Sequence, residues 1–326
     1  MPKLRQNIIT GEWVVISPER AKRPEDFVLA AAPKRPTEMG CPFCMGTENS
    51  AYKESIKEAE TENIYVMPNL YPAFVTEDEI IEEQGDFYPS YKSLGKHEVI
   101  VLKDHQAKLH SLTDGVFTEL LGVYQKRIIA HFKNPLIEYS LLIHNQGAEA
   151  AASIEHTHSQ LFSPSIVPSY PEKELRGSLK YFKENKKCVF CKLLEEEKRI
   201  GVRVLEENED FLAFTFFASR FPFEAWIVPK RHSARFETAT NKEKSNLAAT
   251  MKGVLSKLYR VLHDPPFNFY IHTAPKRLDH TSIFYHWHIE ILPRLSKFGG
   301  YELGSGMVID VVSPEHAAEF LRASKS

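Results

Sequence analysis

The stretch Glu155-His156-Thr157-His158-Ser159-Gln160-Leu161-Phe162 decides how the rest of the chain is interpreted. In extended backbone the side chains alternate between two faces, so His156, His158 and Gln160 share one face, with neighbouring members about 6–7 Å apart at Cα. One histidine ring can then be held in place while the next faces a pocket. We interpret His158 as a nucleophile that attacks a phosphate, and Gln160 as an amide that holds an oxygen of that group. The alternative for an isolated His-x-His pair is two core or surface histidines.

The composition is that of a globular protein and gives no electrostatic reason for binding nucleic acid or an anionic membrane. The chain has 326 residues, enough for two domains, and its net charge is −2. No apolar run approaches the roughly 20 residues that span a membrane, and the N-terminus lacks the apolar core of a signal peptide. We therefore predict a cytoplasmic protein without nucleic-acid or membrane partners.

All four cysteines lie in Cys-x-x-Cys pairs, Cys41-Pro42-Phe43-Cys44 and Cys188-Val189-Phe190-Cys191. In a reducing cytosol such pairs favour metal binding or redox chemistry over structural disulfides. A thioredoxin-type pair begins a helix after a strand, whereas both pairs here follow polar, loop-like stretches. Zinc is therefore the preferred interpretation, and a redox role is the alternative.

The chain contains an internal duplication, which predicts two domains, residues 1–170 and 171–326. Each half has, in the same order, a Cys-x-x-Cys pair, two strands with a Lys-x-His motif after the second, a helix, a strand and a His-x-His strand. The predicted helix of the first half begins near Asp114. That of the second half begins with the capping box Thr240-x-x-Glu243.

The two His-x-His strands differ at one position that bears on catalysis. His288 corresponds to His158, but Glu290 stands where the first half has Gln160. We therefore expect the second half to be non-catalytic and to help form the substrate pocket. The histidines that match no motif are interpreted as surface or core residues: His97, His110 and His144.

The duplication assigns two histidines to each Cys-x-x-Cys pair. The expected ligands have the closed Cys₂His₂ composition of structural zinc sites: Cys41, Cys44, His105 and His156 in the first half, and Cys188, Cys191, His232 and His286 in the second. Thiolate and imidazole suit Zn²⁺ best, with iron as an alternative at the second site. Because all four positions are filled by protein, both metals are expected to stabilise the fold and not to activate water.

The duplicated pattern resembles the galactose-1-phosphate uridylyltransferase family of the histidine-triad superfamily. The resemblance covers nearly the whole chain. It rests on His156-x-His158-x-Gln160 together with Thr10-Gly11-Glu12-Trp13-Val14, Ser17-Pro18, Arg20-Ala21-Lys22-Arg23-Pro24, Cys41-Pro42-Phe43-Cys44, Asp104-His105, Asn145-x-Gly147, Ser153, His286-x-His288, Lys297-Phe298 and Gly300-Tyr301-Glu302. It implies an α+β, duplicated histidine-triad-like fold, in which each half is a mostly antiparallel sheet with packed helices. It also implies a homodimer.

The activity implied by the resemblance is that of a nucleotidylyltransferase, a UDP-glucose:hexose-1-phosphate uridylyltransferase. His158 would attack the α-phosphate of a nucleotide sugar, release a sugar 1-phosphate and form a nucleotidyl-histidine for transfer to a second sugar 1-phosphate. The catalytic residues implied are His158 and Gln160. The substrate-binding residues implied are Arg20, Arg23, Asn69, Asn145, Gly147, Ala151, Ser153, Gln160, Lys297, Phe298, Tyr301 and Glu302.

Three departures from the uridylyltransferase pattern leave the nucleotide and the acceptor open. Thr157 stands where that family usually has proline, Ala151 where it has glycine, and the tail after Glu302 lacks its sugar-contacting glutamine. The tail and the second Cys-x-x-Cys pair are more similar to the ADP-glucose phosphorylases. The alternative function is therefore an ADP-sugar phosphorylase or adenylyltransferase of the same superfamily. An inactive, zinc-stabilised binding protein is an alternative of a different class.

Overall fold

The computed structural model describes residues 1–18, 27, 40–48, 50–76, 82–84, 87–277 and 279–323. The strands are β1 (Lys3–Gln6), β2 (Trp13–Ile16), β3 (Ile64–Pro68), β4 (Glu82–Gln84), β5 (Ser90–Tyr91), β6 (Gly95–Leu102), β7 (Leu141–Gln146), β8 (His158–Pro164), β9 (Val204–Glu207), β10 (Phe211–Thr215), β11 (Ala225–Pro229), β12 (Phe267–His272), β13 (His288–Pro293) and β14 (Val308–Asp310). The helices are α1 (Asp114–Phe132), α2 (Ser169–Asn185), α3 (Val189–Ile200), α4 (Asn241–Leu262), α5 (Gly300–Ser305) and α6 (Pro314–Ala323). Among the described residues, none of the helices is long and apolar enough to cross a membrane.

A nine-stranded antiparallel sheet carries both repeats, in the order β3-β6-β8-β7-β12-β13-β11-β10-β9. The first half contributes β3-β6-β8-β7, and the second half repeats that order in reverse as β12-β13-β11-β10. The halves meet where β7 pairs with β12, from Gln146 opposite Phe267 to Leu142 opposite Ile271. The expected α+β, duplicated fold with antiparallel sheets is therefore confirmed.

Helices α1 and α4 cover one face of this sheet. The side chain of Thr113 caps α1 by accepting a hydrogen bond from the Val116 amide. In α4 the capping box predicted for Thr240 and Glu243 is present. One core joins apolar residues of these helices to inward residues of the strands, among them Leu120, Leu121, Leu161, Leu247, Met251 and Ile289.

The N-terminal hairpin packs against the second half of the chain. β1 pairs with β2, and β2 pairs in parallel with β14 near the C-terminus. The turn of the hairpin touches α2 so closely that a Cβ on Gly177 would lie 1.7 Å from the carbonyl oxygen of Ile9. The first strands of the chain therefore pack on the second half, and the domain boundary near residue 170 stays a prediction.

The face opposite α1 and α4 is covered at both ends and open in the middle. Phe43 and its neighbours cover the first half, whereas α2, α3 and the hairpin cover the second. Between them, side chains that alternate with the core residues of β7 and β12 are only partly buried: Ile143, Asn145, Asn268 and Tyr270. The middle of this face, along the line where the two halves meet, is therefore less covered than its ends.

Candidate active site and metal centres

His158 lies at the start of β8 with one ring nitrogen engaged and the other available. Its Nδ1 is 2.8 Å from the carbonyl oxygen of His156, and because a carbonyl can only accept, Nδ1 carries the proton. The lone pair of the neutral ring is then on Nε2. Burial lowers the pKa of His158, whose exposed fraction is 8%, so the ring is neutral near pH 7. A neutral imidazole oriented in this way is suited to nucleophilic attack.

Gln160 follows on the same face of β8 and contacts a histidine that the sequence did not single out. Its Oε1 is 2.9 Å from Nε2 of His97, on the adjacent strand β6. Asn69, a predicted substrate-binding residue, lies beside the same ring, with its Nδ2 3.2 Å from His97 Nε2. His97 was interpreted as a surface or core residue, and the structure places it between two predicted site residues.

The predicted ligands of the first metal site come together in front of β8. Nδ1 of His156 is 3.5 Å from Sγ of Cys41, 3.5 Å from Sγ of Cys44 and 3.2 Å from Nδ1 of His105. Zn–S and Zn–N bonds of about 2.3 and 2.0 Å arranged as a tetrahedron require ligand separations of roughly 3.3–3.8 Å. The four side chains therefore fit a tetrahedral metal ion closely.

The first of the two histidines does not belong to the strand, in contrast to the expected extended pair. β8 begins at His158, and His156 lies in the bend before it. The Nε2 of His156 is 2.5 Å from the carbonyl oxygen of Leu102, which fixes the proton on Nε2 and leaves Nδ1 for the metal. A metal held by His156 therefore also fixes the carbonyl that orients His158.

The four predicted ligands of the second metal site also lie close together in the structure. Sγ of Cys191 is 3.2 Å from Nδ1 of His232 and 3.8 Å from Nδ1 of His286, and Cys188 completes the group. His232 donates from Nε2 to the Ser282 carbonyl at 2.7 Å. The proton of His232 is therefore on Nε2, and Nδ1 is left for the metal, as in His156 at the first site. The structure thus has two Cys₂His₂ clusters with the composition of metal sites.

A third cluster of possible ligands, which the sequence analysis missed, lies inside the second half. Nδ1 of His272 is 2.9 Å from a carboxylate oxygen of Glu174. Nε2 of His288 is 3.4 Å from Glu290 and 3.6 Å from Glu174, and all four side chains are buried. Carboxylate and imidazole suit iron or zinc. The alternation along β13 places His288 and Glu290 on one face, but Glu174 comes from α2 and has no spacing signal in the sequence.

The charged neighbours in this third cluster give His288 a pKa that is shifted in the opposite direction from that of its counterpart His158. Burial alone lowers the pKa of His288, but the carboxylates of Glu174 and Glu290 raise it to about 10. A protonated imidazole has no lone pair for attack. That the second half is non-catalytic stays a prediction.

A cavity of about 610 Å³ lies at the end of the sheet where β7 stops and β12 begins. Three predicted substrate-binding residues line it, namely Asn145, Gly147 and Lys297. Gly147 has φ +80°, and a Cβ there would lie 2.9 Å from Pro266, so a larger residue would have to displace that wall. His158 and Gln160 do not line the cavity, although His156 and Thr157 do.

Arg294 also lines this cavity, and the sequence analysis did not identify it. Its guanidinium lies over the Phe221 ring, 4.7 Å from the centroid, and Nη1 is 3.4 Å from Oδ1 of Asn268. Asn268 in turn donates to Oδ1 of Asn145 at 2.8 Å. The Nε of Arg294 is buried and, among the described residues, has no hydrogen-bond partner. A planar guanidinium in the lining of the cavity, linked to Asn145 through Asn268, is suited to a phosphate.

The remaining predicted substrate residues have other contacts, are exposed, or lie outside the described residues. Phe298 stacks on Phe221 with centroids 5.0 Å apart, and Tyr301 and Glu302 belong to α5. Within the described parts of the chain, the contacts of Tyr301 and Glu302 are local, to Met307 and to the amide of Gly299. Ser153 is exposed in the loop before His156. Arg20 and Arg23 lie outside the described residues.

Ala151 adopts the left-handed backbone conformation, with φ +62° and ψ +30°, in the loop that follows β7. A side chain in this region costs about 1–2 kcal/mol, a cost that glycine avoids. We expect Ala151→Gly to raise the free energy of unfolding by about 1 kcal/mol, measured by urea denaturation. The control Ala148→Gly, in the helical turn just before, should lower it. A loss of stability in both variants would contradict the strain at Ala151.

Known proteins match this chain over nearly its full length. The family models for the N-terminal and C-terminal domains of galactose-1-phosphate uridyl transferase match residues 1–168 and 174–324. An ADP-glucose phosphorylase of Arabidopsis thaliana is 34% identical over 330 residues, with 98% of this chain and 92% of that protein covered. A galactose-1-phosphate uridylyltransferase of Thermotoga maritima is 29% identical over 336 residues, with 100% and 99% covered. The crystal structure of an ADP-glucose phosphorylase from Arabidopsis thaliana with bound ADP-glucose superposes with a TM-score of 0.83 at 31% identity, covering 100% of both chains. The chain therefore belongs to the galactose-1-phosphate uridylyltransferase family.

Proposed function

We propose that this protein transfers a nucleotidyl group from a nucleotide sugar to a phosphate acceptor through a nucleotidyl-histidine. In the first step a bond forms between Nε2 of His158 and the α-phosphorus, and the bond from that phosphorus to the sugar phosphate breaks. In the second step a phosphate oxygen of the acceptor attacks the same phosphorus and releases His158. The observation that carries the proposal is the His158 Nδ1 bond to the His156 carbonyl, which leaves Nε2 with a lone pair.

The main candidate reaction is that of a UDP-glucose:hexose-1-phosphate uridylyltransferase, in which the donor is a nucleotide sugar and the acceptor is a hexose 1-phosphate. The second candidate is an ADP-sugar phosphorylase, whose acceptor is inorganic phosphate. Two observations favour the second candidate: the 34% identity to the Arabidopsis ADP-glucose phosphorylase, and the presence of Thr157 and Ala151 where the uridylyltransferase pattern has proline and glycine. Both candidates use the same nucleophile.

The sugar-phosphate end of the substrate belongs, in this proposal, at the cavity beside the loop 147–157, whose lining includes His156 and Thr157, the neighbours of His158 in the chain. Arg294 and Lys297 supply positive charge there, and Asn145 supplies an amide. Lys297 is exposed and lies 3.4 Å from Glu149, a pairing that contributes little and can be exchanged for a phosphate. A volume of about 610 Å³ is within the usual range of roughly 300–1,000 Å³ for small-molecule sites.

Both Cys₂His₂ clusters are proposed to hold structural zinc, with iron as the alternative at the second. Zinc there would supply no catalytic water, because its four positions are taken by protein. At the first cluster, the hydrogen bond from His156 to Leu102 fixes the backbone at His156. The carbonyl of His156 then orients the ring of His158. A homodimer in the cytoplasm, without nucleic-acid or membrane partners, remains the prediction made from the sequence.

Mass spectrometry of the intact protein after incubation with UDP-glucose or with ADP-glucose tests the proposal. We expect the mass to rise by one nucleotidyl group with one of the two donors, and the nucleotide identifies the reaction. Galactose 1-phosphate and inorganic phosphate, added separately, should then show which acceptor removes the adduct. The absence of an adduct with both donors, or an adduct that persists in His158→Gly, would contradict the mechanism.

A further inference from the structure

His97 is a buried histidine whose hydrogen bonds determine which tautomer it adopts. It lies on β6 with an exposed fraction of 8%, and its ring stacks on Phe162 with centroids 3.9 Å apart. The backbone N–H of Ala73 points at its Nδ1 at 3.2 Å. A backbone amide can only donate, so Nδ1 has to be the unprotonated nitrogen. The proton of the neutral ring is therefore on Nε2.

The tautomer of His97 fixes the orientation of the Gln160 amide. The oxygen and nitrogen of an amide side chain differ little in shape, so only their hydrogen-bond partners decide which way the group is turned. Because Nε2 of His97 carries a proton, the atom of Gln160 that faces it at 2.9 Å has to be the oxygen Oε1. The amide NH₂ of Gln160 is then turned away from His97. Gln160 lies on the same face of β8 as His158, two residues further on.

Protonation of His97 would disturb this arrangement, because the added proton would have to be on Nδ1, facing the Ala73 N–H. Burial lowers the pKa of His97, partly opposed by the bond to Gln160, so the neutral ring is the stable form near pH 7. The side chains facing the ring from the loop 69–73 and from β8 are uncharged, namely Asn69, Gln160 and Phe162. Asn69 turns its Nδ2, a donor, toward Nε2 at 3.2 Å, and this contact is not a hydrogen bond in the assigned tautomer. The tautomer is set by the backbone amide of Ala73 and by the closer oxygen of Gln160.

We propose that His97 is a positioning residue that holds the Gln160 amide with its NH₂ group directed at the phosphate being transferred. This inference rests on the proposed nucleotidyl transfer and adds how the phosphate-binding group is prepared. With the reverse orientation, the amide oxygen would face a non-bridging phosphate oxygen, and repulsion would replace a hydrogen bond. The cost arises as charge builds up on those oxygens, so it acts mainly on the rate of the chemical step.

The same ring also holds the loop that carries Asn69. Ala73 is bound through Nδ1, and the backbone amide of Asn69 donates to the carbonyl of His97 at 2.9 Å. Tyr71 donates its amide to Oδ1 of Asn69 at 2.8 Å, which fixes the Asn69 side chain in turn. His97 thus has two separable functions, one toward Gln160 through Nε2 and one toward the loop through Nδ1.

Two substitutions separate these functions, because each amide side chain reproduces one ring nitrogen. In His97→Gln the side-chain amide reaches the position of Nε2 and can still donate to Gln160. In His97→Asn the shorter amide reaches only the position of Nδ1, so its oxygen can accept from Ala73 while the bond to Gln160 is lost. The two variants also have similar polarity, so each is a control for the other.

The experiment measures the rate of adduct formation on His158 and the KM for the donor in single-turnover reactions. We expect His97→Asn to slow the chemical step by about 10-fold or more with little change in KM, whereas His97→Gln stays within about threefold; loss of a whole oxyanion donor costs about 10²–10³-fold. Combining His97→Asn with Gln160→Ala should slow the reaction no further than Gln160→Ala alone. Metal content and thermal unfolding are recorded for each variant.

Three outcomes would overturn the inference. The first is an equally slow rate of adduct formation in His97→Gln and His97→Asn. The second is a double variant whose rate falls by the product of the two single effects. The third is a rate that falls only in proportion to the loss of thermal stability. If the unmodified protein forms no adduct with either donor, the proposed function fails first and the result is distinguishable. If the adduct forms at the same rate in His97→Asn, only the role of His97 fails.

Discussion

Replacing His158 with glycine is expected to abolish nucleotidyl transfer while leaving metal content and stability close to those of the unmodified protein. The ring supplies the only bond that the enzyme makes to phosphorus in the proposed reaction, and removal of a nucleophile typically costs on the order of 10⁴-fold or more. The side chain is a minor part of the core, since it contacts mainly the edge of Phe43, 4.9 Å between centroids. Its Nδ1 bond is to a carbonyl that water can reach once the ring is gone.

The measurement is the single-turnover rate of adduct formation, together with zinc analysis and thermal unfolding. His110→Gly is a suitable control, because His110 stacks on Tyr259, 3.8 Å between centroids, on the other side of the sheet. We expect that variant to keep its activity. Adduct formation in His158→Gly at a rate within 10-fold of the unmodified protein would exclude His158 as the nucleophile. Loss of zinc in the same variant would place this ring in the metal site.

Replacing Cys44 with serine is expected to remove one equivalent of zinc and to lower the free energy of unfolding by several kcal/mol. Metal binding to a structural Cys₂His₂ site is coupled to folding, with apparent binding energies of about 10–16 kcal/mol in small zinc domains. The total stability of a domain is only about 5–15 kcal/mol, so this loss is large. Activity should fall as well, because His156 orients His158 through its carbonyl.

The matched variant in the second half is Cys191→Ser, which should also lose one equivalent of metal. Its effect on adduct formation should be smaller, because that cluster is joined to His288 and not to His158. Elemental analysis gives the metal count, and single-turnover kinetics give the activity. A full metal content in both variants, with titratable thiols, would favour the redox interpretation of the cysteine pairs. Equal loss of activity in both would contradict the division of roles between the halves.

The parts of this structure that could be predicted from the sequence depend on short-range patterns. The spacing of Cys41 and Cys44 and the Lys-x-His and His-x-His motifs are local, and the duplication supplied each pattern twice. The capping box at Thr240 and Glu243 is likewise a four-residue signal, and the helix begins there. The same holds for the nucleophile, because the alternation of a strand places His158 and Gln160 on one face.

The parts that could not be predicted depend on which strands become neighbours. His97 meets Gln160 only because β6 pairs with β8 in the register that sets His97 opposite Phe162. Glu174 reaches His288 because α2 folds over β13, and Arg294 reaches Asn145 through Asn268 because β12 lies between their strands. Strand order and register depend on the whole fold, so no local pattern around His97 or Arg294 announces these contacts.

The hairpin at the N-terminus has a consequence for the order of folding during synthesis. Val14 on β2 is paired with Val308 on β14, so β2 has to wait until residue 308 has been synthesised before its parallel neighbour exists. Contacts between such distant positions form late and slow the overall rate. We therefore expect nascent chains that end before residue 308 to leave this hairpin accessible to protease, even where the first repeat has already become resistant.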